Sequence, residues 1–525
     1  MEKEYAVVVK KGINISDVDA EMSAAAGDAS IPNRPCECAK ELIHNSRYTH
    51  WMLTDEEAIS LRNDDRILDV HIPFEHDDNV MIEPTARQGG TYDKTGGFPA
   101  SGINWGLSRC SSATNNFPSG TNEVTDEYLY ALDGTGIDVV IMDSGIQADH
   151  PEWEDANGVS RLKQIDWYAE SGGTISGTMG AQHYTDQGGH GTFCAGIAAG
   201  KTYGWAKNAD IYVIKIFDTD EIATGTAIDL VTAWHNNKGT GRPTVINMSF
   251  GYINGGLYDN DGPGAIAGDT GTYYSDNTNS IVSWTYGDAG YDTATAISYK
   301  TNWSHDKKTV QRLSSIDASI DLMVDAGVHV VVAAGNYSDV QSEIGDVHYN
   351  DSLTRNGVIH YYHRGSSPRT TDDGNDIVVG SMSNALLSNL DSAAEYSSRG
   401  PGVDIWAPGT NITSCTTSAG TATFLLTDYV YDNNFKISNS DGTSFSAPQI
   451  AGIIAMYLQL YPTLTPAQMK AKILDDSKDE LLFDVTVSEY NNASRYQYIS
   501  SGGLFGTPNK IMFNPFVGDA LVKWQ

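Results

Sequence analysis

The chain has 525 residues, enough to bury a large core, and its 33 basic and 67 acidic residues give a formal net charge of −34. The acidic residues are spread along the chain, and this charge argues against nucleic acid or an anionic membrane as a partner. Five cysteines are too few, and odd in number, for a disulfide framework, and no apolar run reaches the roughly 20 residues that span a bilayer.

Residues 1–80 predict a small α+β unit. Three short apolar runs are typical of strands, and an Ala-rich stretch between them is compatible with a helix. Thr54, followed three residues later by Glu57, predicts a capping box that opens a second helix. Residues 81–104 are rich in Gly, Thr and Pro, which is linker composition. In chain order, the strand and helix segments are YAVVVKKG, ISDVDAEMSAAAG, RYTHWML and RILDVHIPFE.

From Trp105 onward, apolar segments alternate with stretches compatible with helices. Strands that are apolar on both faces indicate a parallel sheet covered on both sides, so we expect residues 105–525 to form a three-layer, doubly wound α/β sandwich. Reactive groups in such a fold gather at the carboxyl ends of the strands. Two polar stretches, at about 252–310 and 337–373, are long for loops and predict functional or partly ordered insertions. The apolar segments are GIDVVIMD, ADIYVIKIF, PTVINMSF, GVHVVVAAGN and NDIVVGSM.

Four polar residues in such segments have the chemistry of acyl transfer. Asp143 ends the strand GIDVVIMD, His190 lies in GGHGTFCAGIAAG, and Ser444 stands before a long apolar helix. A serine hydroxyl attacks a peptide carbonyl when an imidazole takes its proton and a carboxylate fixes the imidazole tautomer. Asn336 ends GVHVVVAAGN and offers an amide donor to the developing oxyanion. We therefore predict a catalytic triad of Asp143, His190 and Ser444, assisted by Asn336.

These four segments, in this order along the chain, resemble the subtilisin-like serine proteases. The segments WGLSRC, HGTFCAG and KTYGWAKNADIYVIKIFD resemble the proteinase K branch of that family, and the resemblance covers most of residues 105–462. It implies a subtilisin-like α/β fold with a mainly parallel central sheet. It also implies that residues 1–80 are a ferredoxin-like prodomain of the inhibitor type, which assists folding and blocks the cleft. Processing would then fall within the linker 81–104.

The resemblance implies roles for three further groups of residues. The first group would pair with extended substrate backbone as an added strand. The second would form one wall of the pocket for the residue before the scissile bond, with room for a bulky apolar side chain. The third would hold a structural calcium ion through oxygen atoms, although the chemistry itself requires no cofactor. In that order, the groups are Ser249, Phe250 and Gly251; Ala333, Ala334 and Gly335; and Asp404, Gly374 and Asp376.

The chain also departs from the family pattern beside the triad. Phe193 and Phe445 stand where the family has His and Met, which predicts altered packing without the loss of a catalytic atom. Cys194 is interpreted as a buried structural thiol rather than a nucleophile.

Together these features predict a serine endopeptidase made as a self-processing zymogen, with a protein or peptide substrate and its own prodomain as intramolecular inhibitor. Two alternatives stay open: a structural or assembly component, for instance of a virus-like particle, and a transpeptidase or macrocyclase on the same triad. Met1 leads into MEKEYAVVVKKG without an apolar signal core, so we expect an intracellular or particle-associated location rather than signal-dependent secretion. The insertion from Tyr252 follows the predicted substrate strand, and two interpretations stay open: it borders the cleft and narrows substrate choice, or it is a solvated decoration far from substrate.

Overall fold

The structure is a computed structural model. Most of the linker 81–104 and much of the insertion at 252–310 lie outside the residues that it describes. The described residues are 2–24, 30–40, 45–73, 80–84, 86–87, 105–111, 130–218, 221–254, 270–275, 280–285, 309–346, 349–350, 352–355, 358–361, 363–371, 374–418, 424, 426–429, 431–484 and 503–516.

The N-terminal unit contains two helices and an antiparallel four-stranded sheet. Its elements are β1 (Lys3–Val9), α1 (Ile15–Ala24), β2 (Glu37–Lys40), β3 (Tyr48–Leu53), α2 (Asp55–Leu61) and β4 (Ile67–His71). The sheet order β2-β3-β1-β4 is that of a ferredoxin-like fold, as predicted. Successive residues of a strand point to opposite faces. The side chains on one face of β1 therefore pack with both helices. Those on the other face, Ala6 and Val8, lie in a buried cluster with Ala318.

The predicted capping box is confirmed at the start of α2. Thr54 Oγ1 accepts the N–H of Glu57 at 3.2 Å, and Glu57 Oε2 accepts the N–H of Thr54 at 2.8 Å. These reciprocal hydrogen bonds satisfy donors that a helix start would otherwise leave unpaired.

The remaining elements continue the numbering in chain order. The strands are β5 (Val80–Pro84), β6 (Ala86–Arg87), β7 (Asp138–Asp143), β8 (Leu162–Gln164), β9 (Asp210–Lys215), β10 (Thr244–Met248), β11 (Phe250–Asn254), β12 (Thr270–Ser275), β13 (Ser280–Thr285), β14 (Thr309–Gln311), β15 (His329–Ala333), β16 (Ser352–Arg355), β17 (Val358–Tyr361), β18 (Ile377–Leu387), β19 (Leu390–Ala393), β20 (Ile405–Pro408), β21 (Ile412–Thr416), β22 (Thr427–Tyr429), β23 (Asp432–Gly442), β24 (Lys478–Asp479) and β25 (Lys510–Ile511). The helices are α3 (Trp105–Ser111), α4 (Trp167–Glu170), α5 (His190–Ala199), α6 (Thr224–Asn237), α7 (Ser314–Asp325), α8 (Ala447–Leu460) and α9 (Pro466–Asp476), with short 3-10 turns at Pro151–Trp153, Ala181–His183 and Thr443–Phe445.

The central sheet has the order β24-β25-β20-β18-β15-β10-β7-β9-β8 and is mainly parallel. Alternate residues of its strands feed two buried clusters. Val139 and Ile141 face the cluster that contains α5 and α8, whereas Val140 and Met142 face the cluster that contains α6 and α7. The sheet is therefore covered on both faces, which confirms the predicted three-layer α/β sandwich.

Three smaller sheets flank this sandwich. The two predicted insertions meet in one of them, because β12 of the first insertion pairs with β16 of the second, in the order β13-β12-β16-β17. Another has the order β14-β11-β5, and the third contains β21, β23 and β22, with β6 paired to β23. Both β5 and β6 come from the segment between the N-terminal unit and the central sheet.

Candidate active site

The predicted triad residues meet at the carboxyl edge of the central sheet. Asp143 is the last residue of β7, and His190 is the first residue of the buried helix α5. Ser444 lies in the 3-10 turn that leads into α8, with Pro448 in the first turn of that helix. Asn336 follows the end of β15, a parallel strand of the same sheet. Parallel strands end at one edge, and that topology brings these distant segments together.

Asp143 and His190 form a direct, buried pair. Asp143 Oδ1 lies 2.7 Å from His190 Nδ1, and the carboxylate is fully buried. The N–H of Ser144 donates to the same oxygen at 2.7 Å. Burial disfavours the charged imidazolium, but the neighbouring Asp143 carboxylate outweighs this cost, so the pKa of His190 is raised well above its usual value. The geometry suits a base whose Nδ1–H faces the carboxylate and whose Nε2 is free to accept a proton.

Ser444 is linked to this pair through Cys194 and is held by the backbone of Ser249. Ser444 Oγ donates to the carbonyl of Ser249 at 3.1 Å. His190 Nε2 is buried and has no hydrogen-bonding partner within the described ranges. Cys194 touches both residues, with its Sγ 3.4 Å from the carbonyl of Ser444 and 3.9 Å from His190 Nδ1. Catalytic contacts are often loose without substrate, so a His190 Nε2 that has no partner here is compatible with its predicted role as the base.

Asn336 is oriented by the residue before the predicted nucleophile. Its Oδ1 accepts both the N–H and the hydroxyl of Thr443, each at 2.9 Å. Its Nδ2 is buried and, in the part of the chain that is described, has no partner. Thr443 Oγ1 also accepts the N–H of Gly335 at 3.1 Å, which fixes the adjacent backbone. A buried amide donor that is held in place but unused is what an oxyanion site requires. Thr443 was not singled out from the sequence.

Asp186 is a second carboxylate at the site, and sequence reasoning missed it. It is buried, and burial raises its pKa. Its oxygens accept the N–H of Gly189 at 2.7 Å, the N–H and hydroxyl of Thr192 at 2.8 and 2.6 Å, and the hydroxyl of Ser144 at 2.9 Å. Asp186 thus ties the start of α5 to the residue that follows Asp143. Its position four residues before His190 was the available sequence signal.

The predicted substrate strand is paired with the chain's own N-terminal segment. β5 runs antiparallel to β11, with Pro84 opposite Phe250 and Glu83 opposite Gly251. Two residues later, β6 runs antiparallel to the end of β23, which leads to Ser444. The register there places Ala86 opposite Gly442. The backbones of residues 80–84 and 86–87 are therefore paired with the two segments that flank Ser444.

The predicted pocket wall is fixed by residues of the second insertion. Ala333 and Ala334 are fully buried, and their carbonyls accept hydrogen bonds from Ser367 Oγ and Gln341 Nε2, respectively. Gly335 has φ +105°, and a Cβ there would lie 3.0 Å from Ser366 Oγ. A Cβ on Gly251 would lie 2.6 Å from the same oxygen. The second insertion therefore reaches both predicted substrate-binding segments through Ser366, a contact that the sequence did not reveal.

Phe193 and Phe445, the two departures beside the triad, pack against each other and against neighbouring rings. The ring centroids of Phe193 and Phe445 lie 4.4 Å apart, and that of Phe424 lies 5.3 Å from Phe193. The imidazole of His190 lies 5.7 Å from the Phe445 ring. Cys194 is fully buried, and burial raises the pKa of its thiol, so it is the structural cysteine expected. All five cysteines are free thiols.

The residues named for calcium lie together, but around an ammonium group. Lys470 Nζ is 2.7 Å from the carbonyl of Gly374, 2.8 Å from the carbonyl of Asp376 and 2.6 Å from Asp404 Oδ1. Calcium binds oxygens at about 2.3–2.6 Å and would need the same place. These residues therefore do not fit a calcium ion while Lys470 is in this position. Elsewhere in the described ranges, Asp143, His190 and Cys194 have metal-ligating atoms within 4.8 Å of one another, a grouping that the triad already explains.

Comparisons with known proteins agree with this geometry. The subtilase family model matches residues 134–497. Subtilisin-like proteinase Spm1 of Pyricularia oryzae is 26% identical over 435 residues, which are 77% of this chain and 58% of that protein. The extracellular serine proteinase of Thermus sp. (strain Rt41A) is 25% identical over 412 residues, which are 78% of this chain and 66% of that protein. The chain thus matches less than two thirds of the length of either relative.

A solved structure shows the same fold. Fervidolysin from Fervidobacterium pennivorans, a keratinolytic enzyme related to subtilisin, aligns with a TM-score of 0.50 and 17% identity, covering 100% of this chain and 61% of the other. Among the helices of the described residues, none is both long and apolar enough to cross a membrane. Because the family model covers more than half of the chain and includes Asp143, His190 and Ser444, the chain belongs to the subtilase family.

Proposed function

We propose that this chain is a serine endopeptidase made as a zymogen, and that its first substrate is its own segment between Pro84 and Arg87. The observation that carries the proposal is the buried Asp143–His190 pair next to Ser444, with chain segments paired on either side of that serine. Residues 80–84 add a strand to β11 and residues 86–87 add one to β23, the mode by which extended peptides bind a sheet edge.

Each residue has a defined part in the reaction. Ser444 Oγ forms a bond to the scissile carbonyl carbon while His190 Nε2 takes its proton. The Asp143 carboxylate holds the imidazole and stabilises the imidazolium. Asn336 Nδ2 and the N–H of Ser444 donate to the oxyanion. Collapse of the tetrahedral intermediate breaks the peptide bond, and the proton on His190 passes to the leaving amine. Water, activated by the same imidazole, then hydrolyses the acyl-enzyme.

The N-terminal unit would act as the intramolecular inhibitor. It contacts α6 and α7 through buried polar groups, including an ion pair between Arg47 and Asp321 and hydrogen bonds from Asn45 Nδ2 to Asp229 and Ser319. These contacts fix the unit on the domain that carries the triad. The strands β5 and β6 then fill the substrate edge, so peptides from outside are excluded until the unit leaves.

The pocket wall and its surroundings would set the preference for protein or peptide substrates. By resemblance to the family, small residues at Ala333 and Ala334 would leave room for a bulky apolar side chain. Ser366 Oγ is buried without a partner in the described part of the chain, close to Gly251 and Gly335. The second insertion therefore contributes to specificity, as the first would if it borders the cleft.

Mass spectrometry of the full chain before and after incubation tests this proposal. We expect the parent protein to yield a product whose N-terminus is residue 85, 86 or 87, and Ser444→Ala to stay full length. The matured protein should cleave casein and be labelled at Ser444 by a fluorophosphonate. Identical processing of Ser444→Ala, or a matured protein without peptidase activity, would contradict it.

The place of action is part of the same proposal. One relative is named as an extracellular proteinase, so the intracellular or particle-associated location expected from the sequence has no support from the comparisons. We infer that the matured enzyme acts outside the cell. Fractionation of the native host, with antibodies against the central domain, tests this inference.

A further inference from the structure

We propose that Lys470 supplies a built-in cation at the site formed by Gly374, Asp376 and Asp404, so that this part of the fold is held without calcium. The site lies where β18 begins and where the chain enters β20, at the edge of α9. The inference does not depend on proteolytic activity.

The three donors of the Lys470 ammonium match the oxygens around it. A lysine ammonium has three N–H bonds and no acceptor. Two of them donate to the carbonyls of Gly374 and Asp376, and Asp404 Oδ1 is the ion-pair partner of the ammonium at 2.6 Å. The other carboxylate oxygen of Asp404 accepts the N–H of Val378 at 2.8 Å. The oxygens are thus satisfied in the chain as it stands.

The local fold directs Lys470 into the site. α9 begins with a capping box at Thr465 and Gln468 and with Pro466 in its first turn, which fixes the start of the helix. Its apolar side is anchored by Met469 and Ile473, which are fully buried. With these two residues held in the core, the side chain of Lys470 reaches the adjacent carbonyls and is only 15% exposed.

The Lys470 ammonium lies among three oxygens and so takes the place of a calcium ion. Two backbone carbonyls and one carboxylate that converge on a point repel one another unless positive charge lies between them. The ammonium supplies that charge from within the chain, and its cost in chain entropy is small because α9 is already fixed. An added calcium ion would have to displace it.

Removal of the ammonium should therefore create a latent calcium site. The background is the full chain with Ser444→Ala, which prevents self-digestion, and the readout is the thermal unfolding midpoint in millimolar CaCl2 and in EDTA. We expect the background protein to show the same midpoint in both. Lys470→Met should lower the midpoint in EDTA by about 3 °C or more, and calcium should restore it. Isothermal titration should detect calcium binding only in the Lys470→Met protein.

Two controls separate this site from any other. Lys472→Ala removes the next lysine of α9, which pairs with Asp476 on the helix surface, and should create no calcium response. Adding Asp404→Asn to Lys470→Met should abolish the calcium response. The proposal is overturned if Lys470→Met gains no calcium binding, or if the background protein loses stability in EDTA and Asp404→Asn removes that sensitivity. If Lys470→Met does not fold in EDTA, its recovery in calcium alone supports the proposal, and failure in both media contradicts it.

Discussion

Asn336→Asp is the substitution that isolates the oxyanion donor. The aspartate keeps an oxygen for the N–H and hydroxyl of Thr443, which Asn336 Oδ1 accepts at 2.9 Å each. It replaces the unpartnered Nδ2 donor by a second, anionic oxygen. The fold should therefore survive while the stabilisation of the oxyanion is lost. An alanine at this position would instead leave both groups of Thr443 without their partner.

The expected loss of kcat follows from the contribution of each hydrogen-bonding group. Loss of one oxyanion donor lowers kcat by about 100- to 1000-fold, with little change in KM, and the added negative charge places this variant at the upper end. Thr443→Val is the matched control, because it removes the hydroxyl that orients Asn336 and binds the N–H of Gly335. Two neutral hydrogen bonds at about 1 kcal/mol each limit its effect to about 30-fold.

Two assays measure the loss. One follows the conversion of the full chain to its processed form as a first-order rate, and the other follows hydrolysis of a peptide substrate by matured protein. Circular dichroism and the unfolding midpoint report whether Asn336→Asp is folded. A variant that is folded and retains kcat within about 5-fold of the parent would refute the role given to Asn336.

Three further perturbations test the triad and the N-terminal unit. The raised pKa of His190 predicts that kcat/KM of the matured enzyme rises with pH through a midpoint above 6.5, because only the neutral imidazole accepts a proton; a midpoint clearly below that value would contradict the assignment. Arg47→Met leaves the buried Asp321 without its ion pair, and the resulting cost of about 3–5 kcal/mol should increase release of the cleaved N-terminal unit by at least 100-fold, as measured by size exclusion after processing. Burial raises the pKa of Asp229 to about 7, and exposure on release returns it towards 4, so the complex takes up a proton that the separated parts do not hold. This proton uptake stabilises the complex below about pH 4, and the stabilisation is lost as pH rises to about 7. Release of the N-terminal unit should therefore be slower at pH 5 than at pH 8, and Asp229→Asn should remove the difference.

The sequence predicted the parts of the fold that depend on local pattern. Apolar strands, the capping box at Thr54 and the helix after His190 each follow from neighbouring residues, and each is found where expected. The predicted triad and Asn336 were singled out because each stands in a segment whose order along the chain resembles one family. From the sequence, the proposed processing boundary could be assigned only to the linker. Its narrower placement near Pro84 depends on strand register, which composition does not encode.

Contacts between distant segments were beyond the reach of the sequence. Lys470 binds carbonyls of residues 94 and 96 positions earlier in the chain. Nothing in the pattern of α9 distinguishes it from Lys472, which pairs with Asp476 on the same helix. The same holds for Ser366, whose insertion reaches Gly251 only through the folded sheet. The calcium prediction used the oxygen ligands alone and did not consider which side chain could occupy the space between them.

Asp186 shows how the site can be rigid although a single hydrogen bond joins the side chains of Asp143 and His190. The pair Asp143–His190 is joined by a single hydrogen bond, which would not by itself hold β7 and α5 in register. The hydrogen bonds of Asp186 go to other residues. It binds Ser144, next to Asp143, and Gly189 and Thr192, on either side of His190, through four neutral donors. Asp186 therefore affects the position of the imidazole. Asp143 acts on the charge of His190, whereas Asp186 holds the backbone on either side of it.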